Sequence, residues 1–122
     1  MSASIAVAQL GLVRSMHLLP FGGAVTEALL NILRDAAVQC LPDHPDFLPV
    51  LGWVAVSRPP GTAPVERWGI HAFSRSYMRP QDIFTTEGVT FFVAPDDQVR
   101  ARGHLLDWKD GLGVIENGTI GT

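Results

Sequence analysis

Cysteine is almost missing from the sequence: Cys40 is the only one among 122 residues. A single thiol excludes a disulfide within the chain and a zinc site built from several cysteines of one chain. This usage favours a reducing compartment, and we expect a cytoplasmic protein. Cys40 falls on the apolar stripe of a predicted helix, where free cysteine commonly serves as a small buried hydrophobic residue.

Long hydrophobic runs are also missing. The apolar opening at residues 2–13 follows no Lys or Arg and is shorter than the ~20 residues that a membrane span needs. We therefore expect no membrane partner. Residues 1–15 could be an extension of a domain that begins at Met16, and the sequence leaves open whether Met1 or Met16 is the natural start.

Positive charge is scarce and scattered. The sequence has nine Lys and Arg residues and twelve Asp and Glu residues, which gives a net charge of −3. The arginines form no continuous basic stripe of the kind that binds phosphate backbones, so we expect no nucleic-acid partner. Gly22-Gly23 lacks the Lys-Ser/Thr of a nucleotide loop, and no nucleophile elbow occurs. We therefore do not expect an enzyme.

The length and hydrophobic content of the sequence predict one globular domain at residues 16–122. A chain of this length, with 47% hydrophobic residues, can bury a stable core without disulfides or bound metal ions. Residues 24–40 predict one amphipathic helix near the N-terminus, with Thr26 or Gly23 as its N-cap. The apolar positions at helical spacing are Val25, Leu29, Ile32, Leu33, Ala36 and Cys40.

Most of the remaining chain predicts β-structure. Residues 50–57 and 65–74 are β-type segments on either side of a Pro-rich turn, typical of antiparallel neighbours. Residues 82–117 are short apolar runs between charged or Gly turns, with a short helix expected at 95–102. The predicted class is α+β, with mainly antiparallel or mixed sheets and one amphipathic helix near the N-terminus.

The second half of the chain carries a resemblance to a known family. Its pieces are GVTFFVAP at 88–95, LLDW at 105–108 and GVIEN at 113–117. In this order they resemble the C-terminal half of the HesB-like domain of A-type iron–sulfur carrier proteins. The resemblance extends over roughly residues 16–117 and implies a fold of the HesB-like β-sandwich type.

The same resemblance implies an iron-binding site, but this sequence lacks the cysteines of that site. Family members that carry iron use one cysteine in the turn between the strand pair and a Cys-Gly-Cys near the C-terminus. The corresponding turn here, at 58–64, has no cysteine, and only GTIGT follows Asn117. We therefore expect no cofactor. Iron or an iron–sulfur cluster would require Cys40 to pair across the subunits of a homodimer.

Two groups of residues are candidates for function. His71, His104 and Asp107 could converge on neighbouring strands as a metal or acid–base site. Strand tryptophans are usually core residues, but an exposed pair would form a contact patch for a protein partner. The candidates for that patch are Trp53, Trp68, Phe91 and Trp108.

Three functions follow from these observations. The first is a non-enzymatic HesB-like domain that works as an accessory or binding protein related to iron–sulfur cluster biogenesis. The second is a protein-interaction module, either an inhibitor or an oligomerising subunit. The third is a small metal-dependent or acid–base enzyme that uses His71, His104 and Asp107.

Overall fold

A computed structural model describes residues 16–56, 60–63 and 65–120. The apolar opening at residues 2–13 and three residues of the Pro-rich turn, at positions 58, 59 and 64, lie outside the described residues. Two 3-10 turns, Arg75–Tyr77 and Pro80–Asp82, precede the fifth strand. The elements are β1 (Met16–Leu18), β2 (Ala24–Thr26), α1 (Glu27–Cys40), β3 (Phe47–Val56), β4 (Val65–Ser74), β5 (Ile83–Thr86), β6 (Val89–Phe92), α2 (Pro95–Ala101), β7 (His104–Lys109) and β8 (Gly113–Thr119).

In the part of the chain that the structure describes, the strands form two mixed sheets of four strands each. The first sheet has the order β1-β2-β7-β8 and the second has the order β4-β3-β6-β5. In each sheet two antiparallel pairs are joined by one parallel pair at the centre, β2 with β7 and β3 with β6. The predicted α+β class with mixed sheets is therefore confirmed.

The β3–β4 hairpin is the longest ladder, with ten residues of each strand in unbroken register from Phe47 opposite Ser74 to Val56 opposite Val65. Side chains alternate as the sequence predicts, because Trp68 is buried while Arg67 and His71 are exposed. Since opposite residues share a face, the exposed face contains His71 with its partner Val50.

Helix α1 begins later than the sequence predicts. Residues 24–26 form β2, which pairs in parallel with β7, and the helix starts at Glu27. Thr26 is the N-cap, and its hydroxyl accepts the backbone N–H of Leu29 at 3.2 Å. The predicted fold class named one helix near the N-terminus, whereas the described residues contain two, because the short helix expected at 95–102 is present as α2. Its short stretch starts with Pro95 at the first helical position, as expected.

Prolines at positions 42, 45 and 49 predict an extended connector after α1, and the structure differs from this prediction. Residues 41–46 contain turns, and β3 already begins at Phe47. Pro49 lies within β3 and is buried opposite Ala72. Proline is tolerated there because the pairing of β3 with β6 is limited to Val50 and Phe92, so no ladder bond to β6 is lost.

The two sheets and α1 share one hydrophobic core. Each of the three contributes side chains that are almost completely buried, so the layers cannot separate without exposing apolar surface. Within the described residues, no helix has the length and apolar character needed to cross a membrane. The central core residues include Val25 and Leu106 of the first sheet, Leu51 and Phe91 of the second, and Leu29, Leu30 and Leu33 of α1.

Candidate functional site: a groove between the sheet edges

A groove of about 270 Å³ opens where the edge strand of the second sheet, β4, approaches the edge of the first sheet. It is bounded by four consecutive residues of β4 and by the β7–β8 hairpin, with α1 behind. Its walls are mainly apolar. We name it the tryptophan groove, and its lining residues are Ile32, Val54, Arg67, Trp68, Gly69, Ile70, Trp108, Gly113 and Val114.

Arg67 closes one side of the tryptophan groove. Its guanidinium donates to the backbone carbonyl of Leu112 in the β7–β8 turn. Gly113 allows this approach, since its φ is +81° and an added Cβ would lie 2.6 Å from Arg67 Nη2. The arginine therefore joins the two sheets at the rim of the groove and places a positive charge beside apolar walls.

Polar contacts fix the inner wall. The indole N–H of Trp68 donates to Glu116 Oε2 at 2.9 Å, and Glu116 Oε1 lies 3.5 Å from His104 Nδ1. Trp68 is only 2% exposed, so this hydrogen bond satisfies a buried donor. Because Glu116 lies on β8 and Trp68 on β4, the bond also sets the spacing between the two sheet edges.

The four residues predicted to form a contact patch have different positions. Trp68 and Trp108 both line the tryptophan groove. Trp53 packs edge-to-face on Trp68, with ring centroids 5.7 Å apart, and so supports the groove from behind. Phe91 is fully buried in the core and is excluded from any surface. Two of the four residues therefore line the groove and a third packs on one of them, but Trp68 is only 2% exposed, so the exposed pair of tryptophans that was expected does not form.

The predicted metal or acid–base group does not assemble. His71 lies on β4 of the second sheet, whereas His104 and Asp107 lie on β7 of the first. His104 has Glu116 as its neighbour, and Asp107 interacts with Thr26 and Asn117. Nowhere in residues 16–56, 60–63 and 65–120 do three or more His, Cys, Asp or Glu side chains form a group that could hold a metal ion.

Asp107 instead accepts hydrogen bonds from three neighbouring residues. Its Oδ1 accepts from the Thr26 hydroxyl at 2.6 Å and from the Trp108 backbone N–H at 2.8 Å, while Oδ2 accepts from the Asn117 amide at 2.9 Å. Burial opposes ionisation, but these three donors together hold the pKa of Asp107 below its ordinary value. The carboxylate is thus charged and engaged at neutral pH.

Cys40 is the last residue of α1 and is partly exposed, which corrects the expectation of a buried thiol. The helix turns away from the core at its C-terminal end, where Val38 and Leu41 are also more than half exposed. A partly exposed thiol can be reached from solvent. It can also meet the same residue of a second copy, which a buried thiol could not do.

Sequence reasoning missed Arg67 as a groove residue and Glu116 as the hydrogen-bond partner of Trp68. The alternation of β4 predicts that Arg67 is exposed, but it does not predict that the β7–β8 turn lies beside it. Glu116 was predicted only as the end of a strand. Its proximity to Trp68 depends on how the two sheets pack, for which the local pattern gives no signal.

The fold defines an α+β protein in which two mixed four-stranded sheets pack with one main helix and leave an apolar groove between two sheet edges. Comparison of the chain with protein-family models, with curated proteins and with solved structures gives no match in any of the three.

Proposed function

We propose that the chain is a non-enzymatic HesB-like domain that acts as an accessory or binding protein, and that the tryptophan groove is its binding surface. The observation that carries the proposal is one open apolar groove with the partly buried Trp108 in its wall, Arg67 at its rim and the almost fully buried Trp68 beneath it. Tryptophan and arginine are the residues that most often dominate binding energy at protein interfaces.

The order of the elements supports the HesB-like part of the proposal. The resemblance implies a helix near the N-terminus, then a strand pair, then a compact β-unit, and the chain has α1, the β3–β4 hairpin and β5 to β8 in that order. The GVTFFVAP piece spans the Gly88 turn and β6, LLDW falls on β7, and GVIEN falls on β8. A fold of the β-sandwich type agrees with the two sheets that share one core.

The partner follows from the groove as well as from the resemblance. An extended apolar segment of a partner protein suits a groove bounded by the edges of two strands. Its backbone could pair with an edge strand while its side chains pack against the apolar walls of the groove. The resemblance favours a partner in iron–sulfur cluster biogenesis. The alternative is an interaction module, an inhibitor or oligomerising subunit, in which the segment belongs to another copy of the chain.

A photo-crosslinking residue at the rim tests the binding surface. Leu112 is 57% exposed beside the groove, and Val99 on α2 is 61% exposed outside the groove lining, so p-benzoylphenylalanine at each position makes a matched pair. We expect cell crosslinks to one defined protein at position 112 and few at position 99. Crosslinks only between copies of the chain would favour the oligomerising module. Equal, diffuse labelling at both positions would contradict a binding surface at the groove.

Iron and sulfide analysis tests the relation to cluster chemistry. Protein purified without oxygen should be colourless and free of iron and sulfide, and the Cys40→Ala variant should behave identically. Stoichiometric iron and sulfide that disappear in the variant would contradict the proposal that the chain acts without a cluster of its own. They would instead place Cys40 at a cluster shared between two subunits, which its partial exposure permits.

A further inference from the structure

A groove of about 260 Å³ lies beside the C-terminal half of α1, apart from the tryptophan groove. Its sides come from α1, from the segment that leads into β3, from the start of β3 and from the β5–β6 turn. We name it the helix-end groove. Most of its lining is apolar, including Ala37, Val38, Leu41, Phe47, Leu48 and Val89.

The apolar side chains of the helix-end groove range from buried to exposed. Leu48 and Val89 are 7% and 2% exposed, whereas Val38 and Leu41 are 61% and 54% exposed. Val38 and Leu41 lie three positions apart, and so on one face at the end of the helix. A ligand that covers this exposed pair would remove apolar surface from water, so the groove favours a ligand with an apolar body.

Two arginines, Arg34 on α1 and Arg75 after β4, are the charged residues of the lining. Arg34 donates to Asn31 Oδ1 and, at 3.4 Å, to the backbone carbonyl of Glu87. A guanidinium has five N–H donors, so three of them remain for a ligand. In the part of the chain that the structure describes, no carboxylate oxygen lies within 4.0 Å of either guanidinium.

The charge of the helix-end groove is therefore positive. No Asp or Glu is among its lining residues, although the chain has twelve of them and only nine Lys and Arg. Two carboxylates close to the lining in sequence have other neighbours, since Asp46 accepts from the Ser74 hydroxyl at 2.7 Å and Glu87 lies 4.0 Å from His17. The C-terminal end of α1 adds about half a negative charge, which the two guanidinium groups exceed.

We propose that the helix-end groove binds a small carboxylate with an apolar body, such as a medium-chain fatty acid. The carboxylate binds at the side of the groove that carries Arg34 and Arg75, because guanidinium groups form charge-assisted hydrogen bonds with carboxylates. The hydrocarbon chain covers Val38 and Leu41. The volume is slightly below the about 300 Å³ at which sites for drug-sized molecules begin, which suits a ligand of this size. The proposal is independent of the tryptophan groove, because the two grooves share no lining residue.

Titration of the isotope-labelled full chain by two-dimensional NMR tests the groove with three probes. Octanoate has both the charge and the apolar chain, octylammonium has the same chain with the opposite charge, and acetate has the charge alone. We expect octanoate to shift the amide resonances of Val38, Leu41 and Val89 with a Kd on the order of 1 mM. Octylammonium should bind about tenfold more weakly, because two guanidinium groups repel it, and acetate should give no saturable shift.

Three outcomes of this titration would overturn the proposal. Equal affinities for octanoate and octylammonium would show that the charge of the groove selects nothing. Equal affinities for octanoate and acetate would show that the apolar chain contributes nothing. Octanoate shifts centred on Trp68 and Trp108 would place the ligand in the tryptophan groove.

Arg75→Gln and Arg34→Gln test the two cations separately. Each should weaken octanoate binding about threefold to fivefold and leave octylammonium binding unchanged or stronger. Arg102→Gln is the matched control, because it removes the same charge from an exposed residue outside the lining, and it should bind octanoate as the wild type does. An equal loss in all three variants would show that only the net charge of the protein matters, and would overturn the site.

Val38→Glu tests the groove by supplying a carboxylate from the chain itself. Position 38 is exposed and lies four residues after Arg34 on the same helix face, so the new carboxylate competes with the ligand for the guanidinium. Octanoate binding should fall about tenfold or more. Val38→Gln has almost the same shape without the charge and should lose only about twofold. Equal losses in the two variants would overturn the role of charge in the groove.

Discussion

The Thr26 hydroxyl donates to Asp107 Oδ1 at 2.6 Å while it accepts the backbone N–H of Leu29 at 3.2 Å. One side chain thus caps α1 and ties the helix to β7, although 81 residues separate the two partners. The charge of Asp107 also lies near the positive end of the helix, where an anion is favourable. A residue predicted to belong to a metal site therefore stabilises the join between the main helix and the first sheet.

Thr26→Ala should lower the free energy of unfolding by about 1–2 kcal/mol, because it removes both the cap and the hydrogen bond to Asp107. Thr26→Ser keeps the hydroxyl and should lose much less. Urea denaturation of both variants and of Asp107→Ala gives the measurement. If the losses of Thr26→Ala and Asp107→Ala simply add in the double variant, the two residues are not coupled and the assignment is wrong.

The stability of the protein should depend on the charge of Asp107 at acid pH. The folded pKa of Asp107 lies below its unfolded value of about 3.9, so its contribution is complete above that value and is lost as the pH falls through the folded pKa. Asp107→Asn removes this dependence. The stability gap between wild type and variant, measured by urea denaturation from pH 6 to pH 2, should therefore narrow towards pH 2. A constant gap would contradict the pKa shift.

Two glycines of the β7–β8 turn form a matched pair for testing the rim of the tryptophan groove. Gly111 and Gly113 have φ values of +84° and +81°, but only Gly113 lies against Arg67. Ala at either position should cost about 1 kcal/mol for the left-handed backbone. Gly113→Ala should cost more in thermal or urea denaturation, because it also displaces the guanidinium from Leu112. Equal losses would show that Arg67 does not hold the rim.

The β5–β6 turn contains a residue whose substitution should stabilise the protein. Glu87 has a φ of +49° and precedes Gly88 at +77°, the positive pair of angles that a type I′ hairpin turn requires. Asparagine tolerates this conformation better than glutamate, so Glu87→Asn should raise the free energy of unfolding by ~0.5–1 kcal/mol. Glu87→Gln controls for the loss of charge near His17, 4.0 Å away, and should give no gain.

Local patterns predicted the parts of the fold that depend on neighbours in the chain. The helical period placed Leu29 and Leu33 in the core, and the alternation of β4 placed Trp68 inside and His71 outside. Asp110 and Gly111 lie in the turn between the last two strands, in agreement with the charged or Gly turns expected at 82–117. The start of α1 could not be predicted, since residues 24–26 form a strand through pairing with β1 and with β7, and β7 lies far along the chain.

The arrangement of the candidate site could not be predicted. Tryptophans on strands predicted a contact surface, which stays a prediction, and two of them line the groove. The histidines did not meet, because β4 and β7 belong to different sheets, and a sequence alone does not give strand order.

The central parallel pairs also determine how the chain can reach this structure. The hairpins β3–β4, β5–β6 and β7–β8 join strands that are close in sequence, and such contacts form early because little loop entropy is lost. The pairing of Val25 with Leu106 instead closes a loop across most of the domain. We therefore expect the hairpins to form first. The rate-limiting step of folding should then be the docking of the N-terminal end of α1, at Thr26, on β7.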